Sequence, residues 1–148
     1  MWNALIQHET IDSIMHDKGL AKIGDGIVNL CYSLTKSLVI GGATGEKVRD
    51  SVLARAIRST SLYQHMGRRT DIGRAADAYE AIMAFLWLKG TMTIEAAVTT
   101  LVPLLEIDTT TSRTREGEVA ARAFQALLED NLDHLPPHTS HNDGIRFS

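Results

Sequence analysis

The sequence predicts an all-α protein, a single helical domain of about six helices in 148 residues. Three observations predict the class. Apolar residues recur three or four apart along most of the chain, as on helices with one buried face, and no stretch shows the alternation of a strand. Hydrophobic residues make up 44% but aromatics only 5%, so the core should be aliphatic and alanine-rich, which suits packed helices. Glycine and proline fall between the periodic stretches, where they stop helices. Residues 1–135 read as one domain of ordinary size, and 136–148, opening on Pro136-Pro137, as a flexible tail.

Trp2 to Met15 reads as a first helix, with a break near His8-Glu9-Thr10. Asp17-Lys18-Gly19 marks a turn. The second helix runs from Leu20 to Val39 on the stripe Leu20, Ile23, Ile27, Leu30, Cys31, Leu34 and Leu38, and stops at Gly41-Gly42. Glu46 to Leu62 is the third, with a charged face of Lys47, Arg49, Asp50, Arg55 and Arg58. Tyr63 to Arg69 connects it to a fourth helix, capped by Asp71 and ended before Gly90. Thr93 to Leu105 is the fifth, its last turn disturbed by Pro103. After the polar linker Asp108 to Ser112, Arg115 to Leu132 forms the sixth, and His138 to Ser148 is a loose end.

Net charge is −3 and the pI about 6.0, unlike the strongly basic balance of a dedicated nucleic-acid module. Nucleic acid would therefore be held through a local patch. The single cysteine, Cys31, excludes a disulfide framework and a cysteine-ligated zinc site within the chain; on an apolar helix face it reads as a core thiol. No segment has the length and apolarity to span a bilayer, and Met1 to Thr10 lacks the pattern of a signal peptide. The expectation is a soluble cytoplasmic protein.

The second helix carries an oddity, Asp25 between Gly24 and Gly26. Each glycine weakens a helix by about 1 kcal/mol, and a buried carboxylate needs a partner. The fourth helix supplies the natural partner. Ala75 to Leu88 contains only two charges, Asp77 and Glu80, so it reads as apolar nearly all round and buried. Three residues apart, these two share one face. Three carboxylates on two buried helices demand a cation or raise one another's pKa, and clustered hard oxygen donors favour Mg²⁺ or Mn²⁺. The competing reading has Asp77 and Glu80 solvated or paired with Arg68, Arg69 or Arg74.

The run Leu20-Ala21-Lys22-Ile23-Gly24-Asp25-Gly26-Ile27 resembles the signature helix of ribonuclease III catalytic domains. Asp77-Ala78-Tyr79-Glu80-Ala81-Ile82, followed by Phe85-Leu86-Trp87-Leu88-Lys89-Gly90, resembles that family's second motif. The order and separation of the motifs also fit, over roughly Leu5 to Leu105. The resemblance implies an all-helical catalytic domain that forms a homodimer through the signature helix and cuts double-stranded RNA. It implies Asp25, Asp77 and Glu80 as catalytic metal ligands for Mg²⁺ or Mn²⁺, and products with 5′-phosphate and 3′-hydroxyl ends. Precursor ribosomal RNA is one candidate substrate. The chain departs from the family pattern at Ala21, where a ligand glutamate is usual, and at Lys18, where a second glutamate is usual. The Leu-Ala-x-Ile-Gly-Asp form is similar to the compact Mini-III branch, which has no double-stranded RNA-binding domain, although Asp77 is not typical of that branch.

A catalytic domain alone needs cations beside its acids to hold phosphate. Lys22, Arg68, Arg69 and Arg74 are the candidate RNA-binding residues, with Lys47, Arg49, Arg55 and Arg58 as a second basic set. His134, His138 and His141 have a spacing that binds metal only adventitiously, and His16-Asp17 read as a surface turn. Two further function classes compete: a catalytically inactive RNA- or ribosome-binding relative, flagged by Ala21, and a helical interaction domain whose acids pair with nearby arginines.

Overall fold

The computed structural model describes residues 1–67 and 70–138. Among them are six α-helices and no strand: α1 (Ile11–Met15), α2 (Lys18–Ile40), α3 (Asp50–Arg58), α4 (Ile72–Lys89), α5 (Ile94–Leu101) and α6 (Arg113–Asn131). Short 3-10 turns cover Asn3–Leu5, Ser61–His65, Val102–Leu104 and Leu132–His134. The all-α class is thus as expected. No helix among the described residues is long and apolar enough to cross a membrane.

Helix α4 is the axis of the fold. Asp71 caps it by accepting from the Arg74 amide, and Gly90, at φ 86°, ends it. In between, Ala75, Ala76, Tyr79, Ala81, Ile82, Met83, Ala84 and Leu86 are buried, because α1, α2 and α3 all pack on this helix. Helix α6 closes the other side of α3, where the Tyr79 hydroxyl donates to the Phe124 carbonyl. Each large aliphatic side chain buried in such a core stabilises by about 1.5–3 kcal/mol. Cys31 lies in this core, and burial pushes its thiol up to about 11.

Several boundaries differ from the sequence reading: α2 already begins at Lys18, within the expected turn Asp17-Lys18-Gly19, and α3 ends at Arg58 rather than Leu62. The first helix does not begin at Trp2: Thr10 accepts from the Ser13 amide and starts α1 afresh, leaving Asn3–Leu5 as a separate turn. The third helix begins at Asp50 rather than Glu46. Two α2 side chains hold the preceding segment instead, since Ser33 accepts from the Glu46 amide and Asn29 from the Val48 amide. At the other end, the predicted loose tail is docked over its first residues. The Ile11 amide donates to the Pro137 carbonyl at 2.8 Å, and the His138 ring stacks on His65. Residues 139–148 of that tail, with His141, lie outside the described residues.

The stripe on α2 divides in two. Leu20, Ile27 and Cys31 are buried, whereas Ile23, Leu30, Leu34 and Leu38 are exposed, Leu38 at 66%. One face of α2 packs on α4; a second apolar face has no cover within the subunit.

Candidate functional site

The site begins at the crossing of α2 and α4. Gly24 is required there: a Cβ built on it would stand 1.8 Å from the Glu80 carbonyl oxygen. The two backbones touch, and this brings Asp25 on α2 to the Glu80 side chain on α4. Gly26, by contrast, faces open space.

Glu80 is only 5% exposed. Its neighbours are acidic: Asp25, within reach of a shared hydrogen bond, then Asp50 and Asp77. Burial first, and then these three carboxylates, push its pKa up to about 8. At neutral pH Glu80 therefore carries a proton that it can offer to Asp25. Asp77, one turn earlier on α4, is exposed at the edge of the cluster. The three acids singled out in the sequence are thus neighbours. Among the described residues none of Asp25, Asp77 and Glu80 is in a salt bridge; Asp77 is solvent-exposed, as the competing reading has it, and Arg68 and Arg69, two of the cations that reading names, lie outside the described residues.

Asp50 is the member that sequence reasoning missed. It lies in the first turn of α3, and α3 packs on α4. A helix drawn from Glu46 hides Asp50 on a charged face; its place as the first residue after an extended segment is the signal that would have found it.

Asn29 ties the cluster together. Its side-chain amide donates to Asp25 Oδ1 at 3.2 Å, and its carbonyl oxygen accepts from the Val48 amide at 2.8 Å. One residue, a turn beyond Asp25, fixes that carboxylate and anchors the segment that delivers Asp50. Asn29→Ala removes both bonds, each worth about 1 kcal/mol net. It should lower the melting temperature by a few degrees, as read by thermal denaturation.

The cluster is four carboxylates with no thiol or imidazole among them, the donor type that hard divalent cations prefer. Among the described residues, however, no three His, Cys, Asp or Glu side chains are arranged to hold a metal ion. Ala21, one turn before Asp25, is buried and contributes no donor.

Of the candidate RNA-binding cations, Lys22 and Arg74 are exposed, Lys22 one turn before Asp25 and Arg74 one turn before Asp77 and Ala78. Arg68 and Arg69 lie outside the described residues. Two members of the second basic set do structural work. Arg49 donates to the Arg113 carbonyl and lies against Gly117, where a Cβ would meet its guanidinium at 2.4 Å. Arg58 donates to the Thr70 carbonyl. Asp17 is likewise occupied: it caps α2 through the Leu20 amide and pairs with His8.

A family model described as Ribonuclease III matches residues 18–136 of the chain. A search of curated proteins found no match.

Proposed function

The chain belongs to the ribonuclease III family, and from that premise we propose that it is a divalent-metal-dependent endoribonuclease acting on double-stranded or structured RNA. The observation that carries the reading is Glu80, a buried carboxylate against the α2 backbone and surrounded by Asp25, Asp50 and Asp77. A carboxylate does not keep such company for stability; the arrangement is suited to holding a cation.

Asp25, Asp77 and Glu80 would hold Mg²⁺ or Mn²⁺, with Asp50 beside them. When bound, the ion supplies charge neutralisation and a water acidic enough to act as nucleophile near neutral pH. The chain's own residues do the rest. Asn29 orients Asp25, the Gly24 contact fixes Asp25 against Glu80, and Glu80 would hold the cation as its carboxylate. Lys22 and Arg74 attract the phosphates on either side, so binding should weaken steeply with salt. The scissile bond is the one between phosphorus and the 3′ oxygen, leaving a 5′-phosphate and a 3′-hydroxyl. The protein would work in RNA processing in the cytoplasm, with ribosomal RNA maturation one candidate pathway. The competing reading, an inactive RNA- or ribosome-binding relative, draws on Ala21, which leaves the cluster one carboxylate short of the family pattern. Duplex RNA incubated with the purified protein and Mg²⁺ or Mn²⁺ separates the two: cleavage supports the nuclease, and binding without cleavage supports the relative.

One active site cuts one strand, so a duplex cutter needs two. The exposed face Ile23, Leu30, Leu34 and Leu38 on α2 supports pairing with a second copy of the chain, through the same helix that carries Asp25. Leu34→Asp together with Leu38→Asp should give a folded monomer, because neither side chain is in the subunit core. Light scattering should report the halved mass, and double-strand cleavage should fall with it. A variant that stays dimeric would place the interface elsewhere.

A further inference from the structure

Helix α2 turns more than Asn29 toward the segment that precedes Asp50. Asn29, Ser33 and Ser37 stand four apart, on one face of the helix. Ser37 accepts from the Thr44 amide at 2.9 Å, Ser33 from the Glu46 amide at 2.9 Å and Asn29 from the Val48 amide at 2.8 Å. Alternate amides of segment 44–48 thus meet successive turns of α2. The two periods match, since four helical residues rise about 6 Å and two extended residues span about 6.6 Å. Side chains tie the same segment to α6. Lys36 bridges Glu46 and Glu116, the Tyr32 hydroxyl donates to Glu116, and Arg49 donates to the Arg113 carbonyl. The segment is therefore a strap held on both sides. Its last rung, Asn29, also grips Asp25, and Asp50 follows two residues after Val48.

We propose that Ser33 and Ser37 are positioning residues for the acid cluster. With Asn29 they fasten the strap to α2 in one register, and that register sets where the Asp50 carboxylate stands beside Glu80. Neither serine touches the acids. Ser33 holds both backbone groups of one strap residue, because its hydroxyl also donates to the Glu46 carbonyl at 3.2 Å. A slip of one residue would carry Asp50 about 3.3 Å along the strap, far enough to take it out of the cluster. The consequence for cation uptake rests on the nuclease reading; the consequence for Asp50 does not.

The test is NMR of the full chain, first without metal. Amides of Thr44, Glu46 and Val48 should exchange slowly with solvent. Those of Gly45 and Lys47, which have no acceptor among the described residues, should exchange fast, an alternation that no helix gives. Ser33→Ala combined with Ser37→Ala keeps α2, because alanine is the better helix former. This pair should speed exchange at Thr44 and Glu46 about fivefold each, the weight of one net hydrogen bond. It should also shift the carboxyl carbon signals of Asp50 and Glu80. Ser33→Thr combined with Ser37→Thr retains both hydroxyls and should restore exchange and signals together. Mn²⁺ affinity, read by calorimetry, should fall about tenfold in the alanine pair and recover in the threonine pair. Even exchange across 44–48 in the wild type overturns the proposal. So do Asp50 and Glu80 signals unmoved in the alanine pair, or Mn²⁺ affinity undiminished in it. The nuclease reading fails separately: signals that move in a protein whose wild type takes up no Mn²⁺ support the role of the strap and defeat the metal site alone.

Discussion

Gly24→Ala should be among the most damaging single substitutions in the chain. The added methyl would meet the Glu80 carbonyl oxygen at 1.8 Å, its carbonyl carbon at 2.4 Å and its Cα at 2.9 Å. These are backbone atoms of a buried helix and cannot turn aside as a side-chain tip would. Helix α2 must lift from α4 along the contact that organises the core. Overpacking typically costs about 1–3 kcal/mol and more where neither side yields, against a gain of about 1 kcal/mol in helix propensity. We expect a drop in melting temperature on the order of 10 °C, from a total stability of about 5–15 kcal/mol. Gly26→Ala is the control: with nothing within 4 Å, it should cost nothing inside the subunit. Equal thermal melting of the two variants would contradict the crossing described above.

Glu80→Gln has two large and opposite effects. Cleavage should fall at least about a hundredfold, because even residues that only support metal ligands are worth 10- to 100-fold. Asp25→Asn should do the same. The metal-free protein, however, should become more stable at high pH. Glu80 has a folded pKa raised from 4.5 to about 8, so the native state holds a proton that the unfolded state releases. The stabilisation from that proton is fully present below about 4.5 and is lost as pH rises through about 8. At about 1.4 kcal/mol per pKa unit the loss amounts to a few kcal/mol. Metal-free wild type should thus melt progressively lower between these limits, and Glu80→Gln should flatten the slope. Mg²⁺ should restore wild type most at the alkaline end, where the ion replaces the missing proton.

The sequence made the architecture legible wherever helices follow their own periodicity. The stretch Ala75 to Leu88 announced a helix buried on nearly every side, and α4 is one. The Gly24-Asp25 pair stood out as an oddity in a helix, and its reason is that Gly24 touches the backbone of Glu80 itself. Local pattern failed where side chains from a distant element decide the backbone. Ser33 and Asn29 hold Glu46 and Val48 out of the helix, so α3 starts later than its pattern suggests and Asp50 read only as part of a charged face. Periodicity likewise gave one apolar stripe on α2, since spacing records that a face is apolar and says nothing of whether its cover lies in the same subunit. The basic residues divide for the same reason: Arg49 and Arg58 bind backbone carbonyls of other segments, which no run of sequence reveals.

The central claim is that the acids around Glu80 take up a divalent cation, and calorimetric titration with Mn²⁺ tests it most directly. At neutral pH, repeated in buffers of different ionisation enthalpy, binding should be accompanied by release of about one proton, since ligands must be deprotonated to bind and Glu80 is the protonated member. The proton release should fade above about pH 8, and binding itself should be lost in Glu80→Gln and Asp25→Asn. Absence of Mn²⁺ binding at millimolar concentration, or binding undiminished in both variants, would contradict the account.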